Sequence, residues 1–291
     1  MAVIVVGDLV TDVLVVRSSP LAAGSDTEAT VRIGGGGQAA NTAAWLAHAG
    51  SEVTLIAAVG DDPAGRERVA ELTEQGVRCA VRHHAGAATG SIVVLTNADE
   101  RTMITDRGAA LLLDPQDVRA AVQAAPDAVH LHLSGYALLH AGSRPGGLAA
   151  LEAARERGLT TSVDAASAAP LREVGEFLDL VRGIDLLFCN ADEADVLAGP
   201  GDPGDQSRRL SAFAGTVVVK RGAHGSVWGS RDGTAHTSAA VRVPSLDPTG
   251  AGDAFAAGLL TAWLGGAGPG AALEAGAALG AAAVQRIGAR P

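Results

Sequence analysis

The 291-residue sequence predicts an α/β fold in three layers, α/β/α, with a mostly parallel central sheet and a small β-sheet lid. Three observations carry that reading. From about Asp114 onward, segments with helical periodicity alternate with short apolar strands, the pattern of a parallel sheet with helices on both faces. Val3–Val6 is a short apolar β-branched run and Val53–Val59 a second apolar run, as strands buried within a sheet require. The first hundred residues also hold more short strands than one main sheet can take.

In order, Val3–Val6 is a buried strand ended by Gly7. Asp12–Arg17 and Thr27–Ile33 are β-rich and separated by Ser, Pro and Gly, fit for a hairpin or a small sheet. Gln38–Ala49 reads as a helix stopped by Gly50, and Val53–Val59 as a second buried strand. Pro63–Gln75 has Pro near its start and Gly76 at its end, the usual punctuation of a helix. Strands follow at Val77–Arg82, Ser91–Thr96 and, after a polar turn, Arg101–Thr105. The surplus strands, in segments near 12–33 and 78–105, are assigned to the lid, whose apolar face suits pairing with a second copy in a homodimer. Helices at 115–124, 145–157 and 170–182 then alternate with strands at 128–133, 159–163 and 184–189. Helices 191–198 and 205–214, strand 216–220, a hairpin near 225–237 and Ala-rich helices over 252–264 and 269–286 complete the chain. No repeat, low-complexity run or Pro-rich linker divides it, so residues 1–291 read as one domain.

Bulk composition narrows the function. Hydrophobic residues make up 47% of the chain but aromatics only 3%, and glycine numbers 38, so the core is built of small aliphatics with close backbone contact. The net charge is −10 and the 22 basic residues form no run, which argues against a nucleic-acid surface. Cys79 and Cys189 have no CxxC spacing, so neither a zinc site nor a disulfide framework is indicated and a reduced cytoplasm fits. MAVIVVGDLV lacks a basic leader region and reads as a strand. The apolar stretch at 269–284 carries Glu274 and reads as a buried helix, not a membrane span.

Two glycine-rich segments carry the chemistry. In IGGGGQAAN (33–41), Gly35, Gly37 and Ala40 satisfy the dinucleotide pattern GxGxxA, and Asp61 follows about 20 residues on. The strand before it is poor, however, and the best first strand ends without the motif. A turn needing positive φ accounts for one or two of the glycines. Bare backbone laid against a polar ligand, with Asn41 offering both donors and an acceptor, accounts for all four.

The second segment, DPTGAGDAF (247–255), is the stronger. Pro248 holds Asp247 extended, and Gly250, Ala251 and Gly252 turn the chain into a helix expected to begin near Asp253. Free N–H groups and the helix dipole make an anion site there, and no Walker A pattern occurs anywhere. Asp253 is either an ordinary N-cap or, with a phosphoryl group on those amides, a base beside the acceptor hydroxyl. The segment alone leaves both readings open.

DPTGAGDAF and GGGGQAAN together resemble the two signature regions of the ribokinase, or PfkB, carbohydrate kinases. The likeness runs along the whole chain: VVGDLVTD (5–12) resembles the family's first strand, VGDDPAG (59–65) its VGxDxxG turn, NADE (190–193) its NxxE motif and KRGAHG (220–225) its KxGxxG segment. The resemblance implies a ribokinase-like fold and an ATP- and Mg²⁺-dependent transfer of a phosphoryl group to a hydroxyl of a sugar or sugar-like molecule. It implies Asp253 as general base, with the amides of Gly250, Ala251 and Gly252 as anion hole. Asp12, Gly36, Gly37 and Asn41 would hold the acceptor. Asn190, Lys220, Gly222 and Gly225 would border the nucleotide, and Glu193 would organise Mg²⁺ through water. Asp247 and Thr249 would help surround a monovalent cation, K⁺, as in some family members.

Departures from the family pattern bear on the substrate. Ser134-Gly135 stands where ribokinases have an acidic sugar contact, and Ile287–Pro291 offers a short loop to a cation. Asp164 follows a strand, near the phosphate site by likeness. His130 and His132 alternate on one strand without metal-ligand spacing and read as packed or surface residues, as does the pair His83-His84. A nucleoside kinase of the same fold, a non-catalytic sugar- or nucleotide-binding regulator and a dehydrogenase are the rival readings.

Overall fold

The computed structural model describes residues 1–96 and 101–291; the polar turn expected before Arg101 lies outside them. Its strands are β1 (Ala2–Val6), β2 (Val10–Arg17), β3 (Ala29–Gly36), β4 (Glu52–Gly60), β5 (Val77–His84), β6 (Thr89–Thr96), β7 (Arg101–Gly108), β8 (Ala128–Ser134), β9 (Thr160–Asp164), β10 (Leu186–Asn190), β11 (Thr216–Lys220), β12 (Ser226–Ser230) and β13 (Ala235–Ser238). Among the described residues they form a nine-stranded sheet, ordered β13-β12-β11-β10-β9-β8-β1-β4-β5, and a four-stranded sheet, ordered β3-β2-β6-β7. From β11 to β5 the large sheet is parallel, and the β12–β13 hairpin extends it antiparallel at the edge.

The apolar runs that announced the central strands are buried on both faces. In β1, Ile4 and Val6 join one core with Leu131, Val163 and Leu187. Val3 and Val5 join the other, against the helices Gln38–His48 and Ala251–Leu264. That two-sided burial is why these strands read as continuous apolar runs rather than alternating ones. The ends of β1, β8, β9, β10 and β11 deliver Asp8, Ser134, Asp164, Asn190 and Lys220 to one edge, the carboxyl edge where open α/β sheets bind ligands.

The small sheet packs Leu14, Ile92 and Val94 on its inner side with Val10 and Ala110. Its other side exposes Val31, Ile33 and Ile104, at 57%, 69% and 59%. The segment at 78–105 does not go wholly into this sheet. Its first strand, β5, pairs in parallel with β4, Val53 opposite Val77, because Val77, Cys79 and Val81 pack on the core of the large sheet. Among the described residues of that segment, β6 and β7 join β2 and β3. The helix expected over 170–182 is two short ones, Ala168–Glu173 and Phe177–Leu180, parted at Gly175. His130 and His132 are fully buried, both bonded at 2.8 Å to Ser162 Oγ, with His130 also on Thr160 Oγ1. Burial keeps both neutral, at about 3 and about 4, with no role as ligands called for.

Candidate active site

The helix Ala251–Leu264 starts slightly earlier than the 252–253 its sequence indicates, so Asp253 lies within its first turn and makes no capping hydrogen bond. The N-cap is Gly250, whose φ of 75° suits glycine and whose missing Cβ would stand 2.4 Å from Ala289 O. Capping therefore does not explain the carboxylate. Its Oδ2 instead accepts a hydrogen bond from Asn41 Nδ2 at 3.0 Å, across 212 residues of sequence. Burial pushes Asp253 up to about 8, and the negative charges of Asp164 and Asp8 add to it, while the Asn41 bond and Lys220 act in the opposite direction. Of the three loop amides, Ala251 N–H closes a turn on Pro248 O at a long 3.3 Å.

Asn41 comes from the helix Gln38–His48, which Gly37 opens at φ 100°. β3 runs straight into the glycines, and a Cβ on Gly36 would stand 2.0 Å from Asp12 Oδ1. Only glycine lets that carboxylate lie on the backbone. Asp12, Gly36, Gly37 and Asn41 are thus brought together, beside Asp253. One turn back on the helix, Gln38 donates to Asp164 Oδ1 at 3.0 Å and accepts from Ser134 Oγ at 2.7 Å. The N–H groups of Gln38 and Ala39 converge on the Asp8 carboxylate at 3.1 and 3.2 Å. Arg107 of β7 reaches in from the small sheet, stacked 3.7 Å above the Tyr136 ring and 3.6 Å from Asp8 Oδ2.

Lys220 closes the other side. Its Nζ lies 2.5 Å from Asp164 Oδ2, and a Cβ on Gly252 would stand 3.3 Å from it, so the ammonium sits at the mouth of the glycine turn. Burial lowers its pKa, but Asp164, Glu193 and Asp253 together outweigh that and raise it, so it stays charged. Asn190 and Glu193 form a reciprocal capping box at the start of the helix Ala191–Ala198. Both Glu193 oxygens accept from Asn190, at 2.7 Å each, and Glu193 N–H returns a bond to Asn190 Oδ1 at 2.9 Å. Burial and the negative Asp164 push Glu193 up to about 7. Gly222 is exposed and Gly225, at φ 83°, packs on Ser238 O, so the two shape an open turn after β11.

Asp247 and Thr249 are buried, and the Asp247 carboxylate is engaged by backbone: Thr249 N–H at 2.9 Å and Gly288 N–H at 3.0 Å. Its side chain ties the C-terminal segment to the glycine turn. That segment brings in Arg290, which no motif announced: its guanidinium contacts Asn41, Gly36 and Glu71. Asp8, Gln38 and Arg107 were also missed. Asp8 and Gln38 lie inside the quoted motifs and were legible there as polar residues between glycines and strands. Arg107 and Arg290 have only tertiary reasons for their positions.

The family model for "pfkB family carbohydrate kinase" matches residues 2–291. A 2-dehydro-3-deoxygluconokinase of Thermoproteus tenax is 32% identical over 251 residues, which cover 82% of this chain and 75% of that protein. An ATP-dependent ribose-1-phosphate kinase of Halopiger xanaduensis is 32% identical over 274 residues, 91% of this chain and 86% of that one. Among solved structures, adenosine kinase from Sinorhizobium meliloti superposes with a TM-score of 0.88 at 24% identity, over 99% of this chain and 95% of that one; that likeness is one of fold.

Proposed function

The chain belongs to the pfkB family of carbohydrate kinases, and we propose that it transfers the γ-phosphoryl group of ATP to a hydroxyl of a sugar or sugar-like acceptor, with Asp253 as the base. The observation that carries this reading is the Asn41–Asp253 hydrogen bond at the mouth of the glycine turn, which joins the acceptor cradle to the anion site.

In this reading Asp12, Asn41 and the backbone at Gly36 and Gly37 hold the acceptor hydroxyls. The reacting hydroxyl lies against Asp253, whose proton affinity near neutral pH suits general-base work. A bond forms from the acceptor oxygen to the γ-phosphorus, the bond from that phosphorus to the β–γ bridging oxygen breaks, and Asp253 takes the hydroxyl proton. The amides at Gly250, Ala251 and Gly252, together with Lys220, face the charge on the transferring group. Such fixed donors supply most of the help that phosphoryl transfer needs. Asn190, Lys220, Gly222 and Gly225 border the nucleotide.

Among the described residues no three His, Cys, Asp or Glu gather as a direct metal cage. A Mg²⁺ ion would therefore be held chiefly by ATP phosphates and water, with Glu193 as an outer carboxylate, and would neutralise phosphate charge. Glu193 fits that place: it is a hard oxygen donor whose raised pKa reflects burial beside a like charge, and a nearby cation relieves both. For K⁺, the donors would be the main-chain carbonyls of Asp247 and Thr249 beside the Asp247 charge, and its effect would be to steady the 250–252 turn. The four-stranded sheet acts as a lid over the acceptor, part of a single domain, and its exposed apolar face supports a homodimer. The free cysteines support a cytoplasmic protein.

The test is a screen of neutral sugars, sugar acids, sugar phosphates and nucleosides with ATP and Mg²⁺, read by ADP release. Turnover confined to nucleosides, or absent throughout with ATP bound, would overturn the sugar-kinase reading.

A further inference from the structure

Arg290 is a buried charge outside the motifs, engaged by three partners. Its side chain is 7% exposed. Nε donates to Asn41 Oδ1 at 3.2 Å, one terminal nitrogen donates to Gly36 O at 2.9 Å, and the other lies 3.5 Å from Glu71 Oε2. The segment that carries it is pinned on both sides. Trp45 Nε1 donates to Ala289 O at 2.9 Å, and Gly288 N–H donates to Asp247 Oδ2 at 3.0 Å. The guanidinium is so close to the glycine cradle that a Cβ on Gly35 would stand 2.0 Å from it.

An asparagine amide is nearly symmetric in shape, and its two ends differ only in what they bond. Asn41 could offer Asp253 either its N–H or its oxygen. The first favours the carboxylate, and the second favours the protonated acid. Arg290 has only donors, so the end of Asn41 that meets it must be the oxygen, which leaves Nδ2 for Asp253. The geometry points to Arg290 as a positioning residue: it fixes the orientation of the Asn41 amide and thereby keeps a donor on the base. This rests on the reading of Asp253 as base.

The chain of contacts runs from the helix Pro63–Glu74 to the helix Ala251–Leu264. Arg68 holds Glu71 at 2.8 Å, Glu71 faces Arg290, Arg290 holds Asn41, and Asn41 meets Asp253. Arg290 is faced by Glu71, Asp12, Arg68 and Cys79, and burial draws it down to about 10, so it is charged throughout the working range. Asp253 is faced by Asn41 from its helix, Asp164 from β9, Lys220 from β11 and Asp8 after β1. Of these, Asn41 alone can reverse the sign of its contribution by turning over, and Arg290 bars that turn.

The experiment is the pH dependence of kcat/KM for wild type, Arg290→Met, Arg290→Lys, Trp45→Phe and Asp253→Asn. Arg290→Met keeps length and removes every donor. Its acidic limb should move up by about one pH unit, the worth of one hydrogen bond to a charged group, with roughly tenfold loss at pH 7 that recovers in alkali and an unchanged KM for ATP. Arg290→Lys retains a donor for Asn41 Oδ1 and should move the limb in the same direction but less far; it carries the test alone where the Met variant does not fold. Trp45→Phe frees the segment's other anchor and should lower Tm with the limb in place. A limb that stays at its wild-type position in the Arg290 variants, or one that Trp45→Phe moves equally, overturns the inference. Normal turnover by Asp253→Asn would instead remove the base reading beneath it.

Discussion

Lys220 Nζ lies 2.5 Å from Asp164 Oδ2, at the carboxyl ends of two strands separated in the sheet by β10. The carboxylate is 3% exposed and the ammonium 14%, so neither is solvated enough to do without the other. Lys220→Met should cost about 3 kcal/mol in denaturant unfolding, because it strands a buried charge rather than merely deleting a bond. The variant should also bind ATP more weakly, since the remaining Asp164 repels phosphate. Unchanged stability together with unchanged ATP affinity would mean that the pair is neither structural nor part of the nucleotide site.

The acceptor cradle makes a separable prediction. Asp12→Ala and Asn41→Ala should each weaken acceptor binding by roughly 1–3 kcal/mol, the usual worth of a buried polar partner, with ATP affinity retained. Asn41→Ala should in addition lower kcat, because it removes the donor on Asp253, whereas Asp12→Ala should act mainly through KM. Calorimetry on both ligands checks this. Loss of ATP binding with acceptor binding intact would place the two ligands the wrong way round.

Asp253 also links stability to pH. Its pKa is raised by folding from an ordinary 3.8 to about 8, so between those values the folded state holds the proton more tightly than the unfolded chain. The wild-type protein therefore loses stability from this group as pH rises through that window, and an amide in its place does not titrate. Asp253→Asn should gain on wild type as pH climbs from 4 to 8, by at most about 1.4 kcal/mol per pH unit. A stability difference that is flat across the window would show the carboxyl to be better solvated than its surroundings indicate.

On the outer face of the small sheet, Ile33 and Ile104 are 69% and 59% exposed. If two lids pair there, Ile33→Glu should shift the protein from dimer to monomer in light scattering, because a buried carboxylate without a partner opposes association. An unshifted dimer would move the interface elsewhere.

How much of this was legible beforehand follows the range of the interactions. Val3–Val6 and Val53–Val59 announced central strands because their burial on both sides leaves a continuous apolar run. DPTGAGDAF announced its turn because glycine and proline act locally. β5 belongs to the large sheet and not the lid, yet Val77, Cys79 and Val81 fit an edge of either sheet, and only the partner strand decides. Arg290 left no local trace at all: its partners are Asn41, Gly36 and Glu71, each more than two hundred residues away. The start of the helix at Ala251 matters beyond its small offset, since it puts Asp253 inside the first turn and removes capping as an explanation for it.

The most direct measurement is the turnover of Asp253→Asn against wild type, with ATP, Mg²⁺ and the best acceptor from the screen, followed by ADP release at pH 8. The substitution should lower kcat by on the order of 10²–10⁴, the scale of general-base catalysis, with the KM for ATP little changed. A folded variant that turns over at near the wild-type rate would contradict that expectation.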